Sequence, residues 1–138
     1  DDPVGEHLDV MGCNQYLGWY YGEIEKVDQM RWSSPFEKPL IMSEFGAGAV
    51  AGRHGDQDTL FTEEYQALVY RKQVGMLRHI PFLAGTSPWI LKDFRTPRRV
   101  LAGTQDGWNR KGLVSDRGLR KRAFGVLCEW YRELAGQE

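Results

Sequence analysis

Cysteine is scarce in this chain, and so are long apolar runs and any excess of one charge. Its 138 residues include two cysteines, Cys13 and Cys128, which have neither metal-ligand spacing nor the density of a disulfide scaffold, so we expect two buried thiols. No stretch approaches the roughly 18 consecutive apolar residues that a membrane-spanning helix requires. With 18 basic and 19 acidic residues, the chain gives no electrostatic reason to propose a nucleic acid or an anionic membrane as partner. The composition is that of one soluble globular domain.

The most informative segment is KPLIMSEFGAGAVAG at residues 38–52, where an apolar run ends in a carboxylate and then in small residues. Leu40, Ile41 and Met42 predict a strand buried on both faces, as in parallel sheets covered by helices. Glu44 then lies at the carboxyl end of that strand, where the loops of α/β barrels build active sites. Glu44 is therefore a candidate catalytic carboxylate, and the alternative is a surface cap or salt bridge.

The remaining residues predict an alternation of strands and helices. Three strands and two helices are expected, the strands at residues 8–16, 40–45 and 82–91 and the helices at about 62–78 and 118–134. Thr62 is a good N-cap for the first helix. Glycine, proline and arginine mark residues 95–115 as a long loop, of a kind that is usually functional or disordered. This order predicts an α/β fold with parallel strands.

The predicted strands all end in aromatic or ionisable residues. Three strands cannot close a barrel, and an open sheet with such polar strand ends would leave its edges unprotected. The end residues would converge on one mouth if the strands were neighbours in a (β/α)₈ ring; they are Asn14, Tyr16, Glu44, Trp89 and Asp93. We therefore expect the chain to be an incomplete part of a TIM barrel.

Five motifs in one order give the chain a specific resemblance. They are NQYLGWY at 14–20, SEFGAGAVAG at 43–52, FTEEYQ at 61–66, PWILKDF at 88–94 and NRKGL at 109–113. Together they resemble the C-terminal part of the catalytic barrel of glycoside hydrolase family 2, most closely its β-glucuronidases. The resemblance implies that residues 1–138 are a C-terminal portion of that barrel, a partial (β/α)₈ fold with strands six to eight, and that the N-terminal part is absent. The opening residues DDPVGEHLDV lack the pattern of a signal peptide, but with the natural start missing the compartment stays open.

Enzymes of this family are retaining β-glycosidases. One carboxylate attacks the anomeric carbon and a second, about 5 to 5.5 Å away, protonates the leaving oxygen. The resemblance implies that Glu44 is the nucleophile and that Tyr16 donates a hydrogen bond to it. The acid/base glutamate belongs to an Asn-Glu pair at the end of the fourth strand, and no such pair occurs here. The chain alone is therefore expected to be inactive.

Other motif positions are implied to contact the sugar. Trp89 would stack on an apolar face of the sugar, with a buried core indole as the alternative. Asn14 and Tyr20 match an Asn-x-Tyr-x-x-x-Tyr pattern and would line the same pocket. Asn109 and Lys111 match the Asn-x-Lys pair with which β-glucuronidases hold the sugar carboxylate, since an amide donor and an ammonium group suit an anionic oxygen pair.

The chain departs from the family pattern at two places. Arg99 resembles an arginine that helps to build the pocket, but in this chain the additional residues AGTQDGW separate it from Asn109. Ile90 stands where glucuronidases commonly have asparagine.

We accordingly expect a β-glycoside as substrate, with a β-glucuronide favoured. A β-galactosidase-like member, a hydrolase of another uronic acid, and a non-catalytic carbohydrate-binding fragment that keeps Trp89, Tyr16 and Lys111 are the alternatives. No cofactor or metal is expected, and the full-length protein could be a homo-oligomer.

Overall fold

The computed structural model describes residues 2–136 and centres on a three-stranded parallel sheet. In chain order the strands are β1 (Met11–Gln15), β2 (Leu40–Phe45) and β3 (Leu83–Thr86), and β2 lies in the middle. Helix α1 (Glu63–Leu77) connects β2 to β3. An antiparallel pair of short strands, β4 (Phe94–Arg95) and β5 (Trp108–Asn109), and helix α2 (Arg122–Ala135) complete the chain. Short 3-10 helices occur at Pro3–His7 and Ile24–Gln29.

Helix α1 begins where the sequence predicts it. The backbone of Thr62 is extended, and its hydroxyl accepts a hydrogen bond from the backbone N–H of Tyr65 at 3.1 Å. Two glutamates in the first turn suit the positive end of the helix dipole. The helix packs against α2 and against the 3-10 helix Ile24–Gln29. The core formed in this way includes the completely buried side chains of Val27, Met42, Phe45, Val69 and Tyr70.

Strand β2 has the predicted bounds, but within residues 2–136 only one of its two faces is buried, whereas burial of both was expected. Leu40 and Met42 are buried, whereas Ile41 between them is 39% exposed. Leu40 and Met42 belong to the apolar core formed with the helices, and Ile41 points to the opposite face of the sheet.

The alternation along β2 slips at its carboxyl end. Strict alternation would place Glu44 with Leu40 and Met42 on the helix side. Instead Phe45 is completely buried and packs edge-on against Tyr70 of α1, with ring centroids 5.6 Å apart. The pairing register with β1 shifts at the same level, between Cys13 and Asn14. This irregularity leaves Glu44 partly accessible at the end of the strand.

Gly46 accommodates the close approach of α1 just after this point. Its φ is +125°, and a Cβ atom there would lie 2.3 Å from the Tyr70 hydroxyl oxygen. Only glycine both adopts this positive φ readily and lacks the Cβ atom that would clash with Tyr70.

The other elements differ from the prediction mainly in length. Strand β3 ends at Thr86, before the predicted residue 91, although the N–H groups of Ser87 and Trp89 still donate to backbone oxygens of β2. Helix α2 begins at Arg122 rather than at residue 118. It follows a turn in which the N–H of Ser115 donates a hydrogen bond to the backbone oxygen of Leu119. The long loop contains the β4–β5 hairpin, which no local pattern had indicated.

The predicted α/β class with parallel strands is confirmed. The two cysteines are partly exposed free thiols, so their predicted burial is wrong. No helix between residues 2 and 136 has both the length and the apolar character needed to cross a membrane.

Candidate active site

Glu44 is held by a neighbouring tyrosine at the carboxyl end of the sheet. Tyr16 directly follows β1, is buried, and donates a hydrogen bond from its hydroxyl to Glu44 Oε2 at 2.8 Å. Burial raises the pKa of Tyr16 well above its usual range, and the hydrogen bond to Glu44 and the charge of that carboxylate raise it further. The Tyr16 phenol therefore stays protonated and remains a donor to Glu44.

The backbones of two more predicted residues adjoin the end of β2 that carries Glu44. Asn14 is paired with Glu44 across the β1–β2 ladder, and its Oδ1 accepts a hydrogen bond from Ser43 Oγ at 2.8 Å. Trp89 is tied to the end of β2 because its backbone N–H donates to the oxygen of Phe45 at 2.9 Å. Trp89 is only partly buried and is not among the buried core residues.

Next to the residues around Glu44, two cationic side chains donate hydrogen bonds to the same tyrosine hydroxyl. Lys111 Nζ and Arg99 Nη2 both donate to the hydroxyl oxygen of Tyr20, Arg99 at 2.8 Å. The rings of Tyr16 and Tyr20 meet edge to face with centroids 5.0 Å apart. Lys111 Nζ lies 4.2 Å from the ring centroid of Tyr20 and 5.2 Å from that of Tyr16. The tyrosine pair thus connects the carboxylate of Glu44 with the cations.

In the part of the chain that the structure describes, no carboxylate lies within salt-bridge distance of these two cations. Lys111 is only 4% exposed, yet among residues 2–136 neither Lys111 nor Arg99 forms a salt bridge. Burial lowers the pKa of Lys111 below its usual range, although the hydrogen bond to Tyr20 acts in the opposite direction. Burial acts to raise the pKa of Tyr20, but Lys111 and Arg99 lower it overall. A buried, unpaired cation is costly, and an anionic ligand would remove that cost.

A cavity of about 240 Å³ opens next to the two cations. Its polar lining includes Arg99, Asn109 and Lys111, and Trp19 and Phe61 contribute aromatic walls. Asn109 is buried at the end of β5, and its Oδ1 accepts a hydrogen bond from the backbone N–H of Lys111 at 3.1 Å. Asn109 therefore fixes the backbone that carries Lys111.

The residues between Arg99 and Asn109 fold into a compact turn. The N–H of Gln105 donates to the oxygen of Leu101 at 2.8 Å, and the N–H of Gly107 donates to the oxygen of Arg99 at 2.7 Å. The additional residues therefore return the chain to its starting point, and Arg99 reaches Tyr20 despite them.

The structure brings the eight predicted site residues into two adjoining groups. Around Glu44 lie Asn14, Tyr16 and Trp89, and around Lys111 lie Tyr20, Arg99 and Asn109. Trp19, which lines the cavity, was not among the predicted site residues, although it lies within the NQYLGWY motif. The burial of Lys121 against Asp93 was not predicted either, because no local pattern signals it.

Comparison with known proteins points to one group of enzymes, although no family model matches the chain. The β-glucuronidase of Paenibacillus borealis is 32% identical over 139 residues, which are 95% of this chain and 23% of that protein. The structure of the β-D-glucuronidase of Dictyoglomus thermophilum matches with a TM-score of 0.80 and 31% identity, over 92% of this chain and 23% of the other. A family GH2 β-galacturonidase of Eisenbergiella tayi, bound to galacturonate, matches with a TM-score of 0.76 and 25% identity, over 91% and 24% of the two chains. The chain thus spans about a quarter of the length of the proteins it matches.

Proposed function

We propose that this chain, a β-glucuronidase-like C-terminal part of glycoside hydrolase family 2, forms the nucleophile-bearing side of a retaining β-glycosidase that acts on β-glucuronides. One observation carries the proposal. A carboxylate, Glu44, accepts a hydrogen bond from Tyr16, and a buried cation that forms no salt bridge within residues 2–136, Lys111, lies close to the Tyr16 and Tyr20 rings. Attack on an anomeric carbon needs the first group, and recognition of a uronic acid needs the second.

In the proposed reaction Glu44 attacks the anomeric carbon while Tyr16 holds Oε2 through its hydroxyl. The bond to the leaving oxygen breaks as a second carboxylic acid protonates that oxygen, and a covalent glycosyl-enzyme remains. Water then displaces Glu44 after giving its proton to the second carboxylate.

The second carboxylate is proposed to come from polypeptide outside residues 1–138. Without it this chain would lack the general acid, whose contribution to the rate is about 10²-fold to 10⁴-fold. The isolated chain is therefore proposed to be inactive.

A (β/α)₈ barrel accounts for two features of the sheet. Within residues 2–136, β1 and β3 each have one neighbouring strand and therefore one unpaired edge. In addition, Ile41 is exposed on the face of the sheet opposite the apolar core. In a closed barrel both edges would pair with further strands, and Ile41 would face the packed interior. Residues 1–138 are thus proposed to be the C-terminal portion of a catalytic TIM barrel.

A uronic acid fits this site better than a neutral sugar. Its carboxylate would pair with Lys111 and Arg99, whereas a neutral hydroxyl would leave Lys111 without a salt bridge within residues 2–136. The galacturonate bound to the Eisenbergiella tayi relative supports a uronic acid as the substrate class. The names of the other relatives favour the glucuronide within that class.

The test uses the full-length protein that contains this chain and a panel of chromogenic β-glycosides. The wild type should hydrolyse the β-glucuronide, and Glu44→Gln should lose turnover while keeping the thermal unfolding temperature. The control is Glu37→Gln, which changes an exposed glutamate before β2 and should leave the rate unchanged. Near-normal hydrolysis by Glu44→Gln would remove Glu44 from the mechanism. A wild type that cleaves the β-galactoside but not the β-glucuronide would overturn the substrate assignment.

A further inference from the structure

A buried ion pair outside the pocket lining connects the two groups of site residues, the one around Glu44 and the one around Lys111. Lys121, just before α2, and Asp93, just before β4, have completely buried side chains with Nζ and Oδ1 2.8 Å apart. Neither residue lines the cavity beside Lys111. The proposed mechanism assigns them no role.

Lys121 links the segment after Glu44 to the segment that carries Lys111. Its ammonium group donates to the backbone oxygen of Ala49 at 2.7 Å and to that of Arg110 at 3.0 Å, in addition to Asp93. Ala49 lies in the small-residue loop that follows Glu44, and Arg110 directly precedes Lys111. A single side chain with all its donors occupied therefore spans both segments.

Asp93 holds the backbone on the other side of Lys111. Its Oδ1 also accepts a hydrogen bond from the N–H of Gly112 at 2.8 Å. Gly112 fits so closely that a Cβ atom there would lie 2.2 Å from the backbone nitrogen of Asp93. Because Arg110 and Gly112 flank Lys111, the ion pair fixes the chain on both sides of it.

Stability alone is a weak explanation for such a pair. Removing two charges from water offsets most of their attraction, and well-packed apolar residues often stabilise a core as well or better. The contacts of this pair fall on the backbone next to Lys111 and on the loop behind Glu44. They therefore bear on the distance between those two residues.

We infer that Lys121 and Asp93 are positioning residues that hold Lys111 at a set distance from Glu44 and so determine the affinity for an anionic sugar. This inference rests on the proposed role of Lys111 in binding a uronic acid. If the ion pair is lost, Lys111 should move while Glu44 and Tyr16 keep their own contacts.

The first experiment is a double-mutant cycle in the full-length protein. Lys121→Met is expected to lower kcat/KM for a β-glucuronide about 10²-fold, mainly through KM, because a displacement of about 1 Å can cost that much. In a Lys111→Met background the same change should add little further loss, since the group it positions is already gone. An equal loss in both backgrounds would show that Lys121 does not act through Lys111.

Two further variants separate positioning from folding. Leu127→Ala truncates a buried side chain of α2 outside the pocket lining, so it should lower the unfolding temperature and leave KM unchanged. Asp93→Asn keeps the side-chain shape and weakens the ion pair, so it carries the test if Lys121→Met fails to fold. An unchanged KM in Asp93→Asn would then overturn the inference.

A second readout does not depend on catalysis. The absorbance change on ionisation of Tyr20, taken as the difference from a matched Tyr20→Phe protein, reports the presence of Lys111 at its hydroxyl. Lys121→Met and Asp93→Asn should shift this titration to higher pH, and an unshifted titration would contradict the inference. A shifted titration in a protein without β-glucuronidase activity would uphold the positioning role and reject the proposed function.

Discussion

Replacement of Lys111 by methionine should remove recognition of the uronic acid without weakening the fold. Methionine keeps most of the side-chain volume and removes the charge. A hydrogen bond to a charged group contributes about 1.5 to 3 kcal/mol, and the burial of Lys111 limits screening by water. Arg99 remains beside Tyr20 and preserves part of the attraction. We expect a loss of about 2 to 3 kcal/mol, which is about 30-fold to 200-fold in kcat/KM for a β-glucuronide.

The same substitution should leave the free energy of unfolding unchanged or raise it. Within residues 2–136 buried Lys111 forms no salt bridge, and the Tyr20 hydroxyl is the hydrogen-bond acceptor of its ammonium group, so the wild type carries most of the desolvation cost of that charge. Methionine removes that cost. Lower activity combined with equal or higher stability is the pattern expected of a residue kept for function.

The assay compares kcat/KM for a β-glucuronide and a β-galactoside in the full-length protein, together with thermal unfolding. Lys92→Met is the control because it makes the same change at an exposed lysine one residue before Asp93. Loss of the same size on both substrates would mean that Lys111 does not recognise a carboxylate. A large fall in the unfolding temperature of Lys111→Met would refute the argument from burial.

Two other predictions concern pH and the hydrogen bond to Glu44. The KM for a β-glucuronide should rise at alkaline pH, because binding needs the protonated form of Lys111. Since burial lowers the pKa of Lys111, this rise should begin at a lower pH than the pKa of an ordinary lysine would give. Identical pH profiles of KM for the glucuronide and a galactoside would contradict this. Tyr16→Phe removes the donor to Glu44 and should lower kcat about 10-fold to 200-fold, so a kcat within about twofold of wild type would show that this hydrogen bond is dispensable.

Local patterns were enough to predict the main elements. The apolar run at residues 40–45 bounds β2 correctly, and Thr62 with the two glutamates after it marks the start of α1. Both signals depend on residues that are neighbours in sequence, such as a capping hydroxyl and the N–H three residues later. The ends of β1, β3 and α2 were less accurate, because they depend on where the chain finds hydrogen-bond partners elsewhere.

The site was predicted as a set of residues, while its geometry depended on long-range contacts. No local pattern indicates that Phe45 takes the buried position and leaves Glu44 accessible, since this follows from the register shift opposite Cys13 and from packing on Tyr70. The approach of Arg99 to Tyr20 likewise depends on a turn closed by backbone hydrogen bonds.

By itself the sequence determined which residue types stand at the ends of the strands and which family they resemble. Only the tertiary structure decided which charges are buried and what they face. Lys111 and Lys121 both stand in polar stretches of the sequence. In the structure Lys111 is buried against two aromatic rings, and Lys121 is buried against Asp93. Their difference arises from segments far apart in the chain, because burial and pairing of a charge depend on what folds over it.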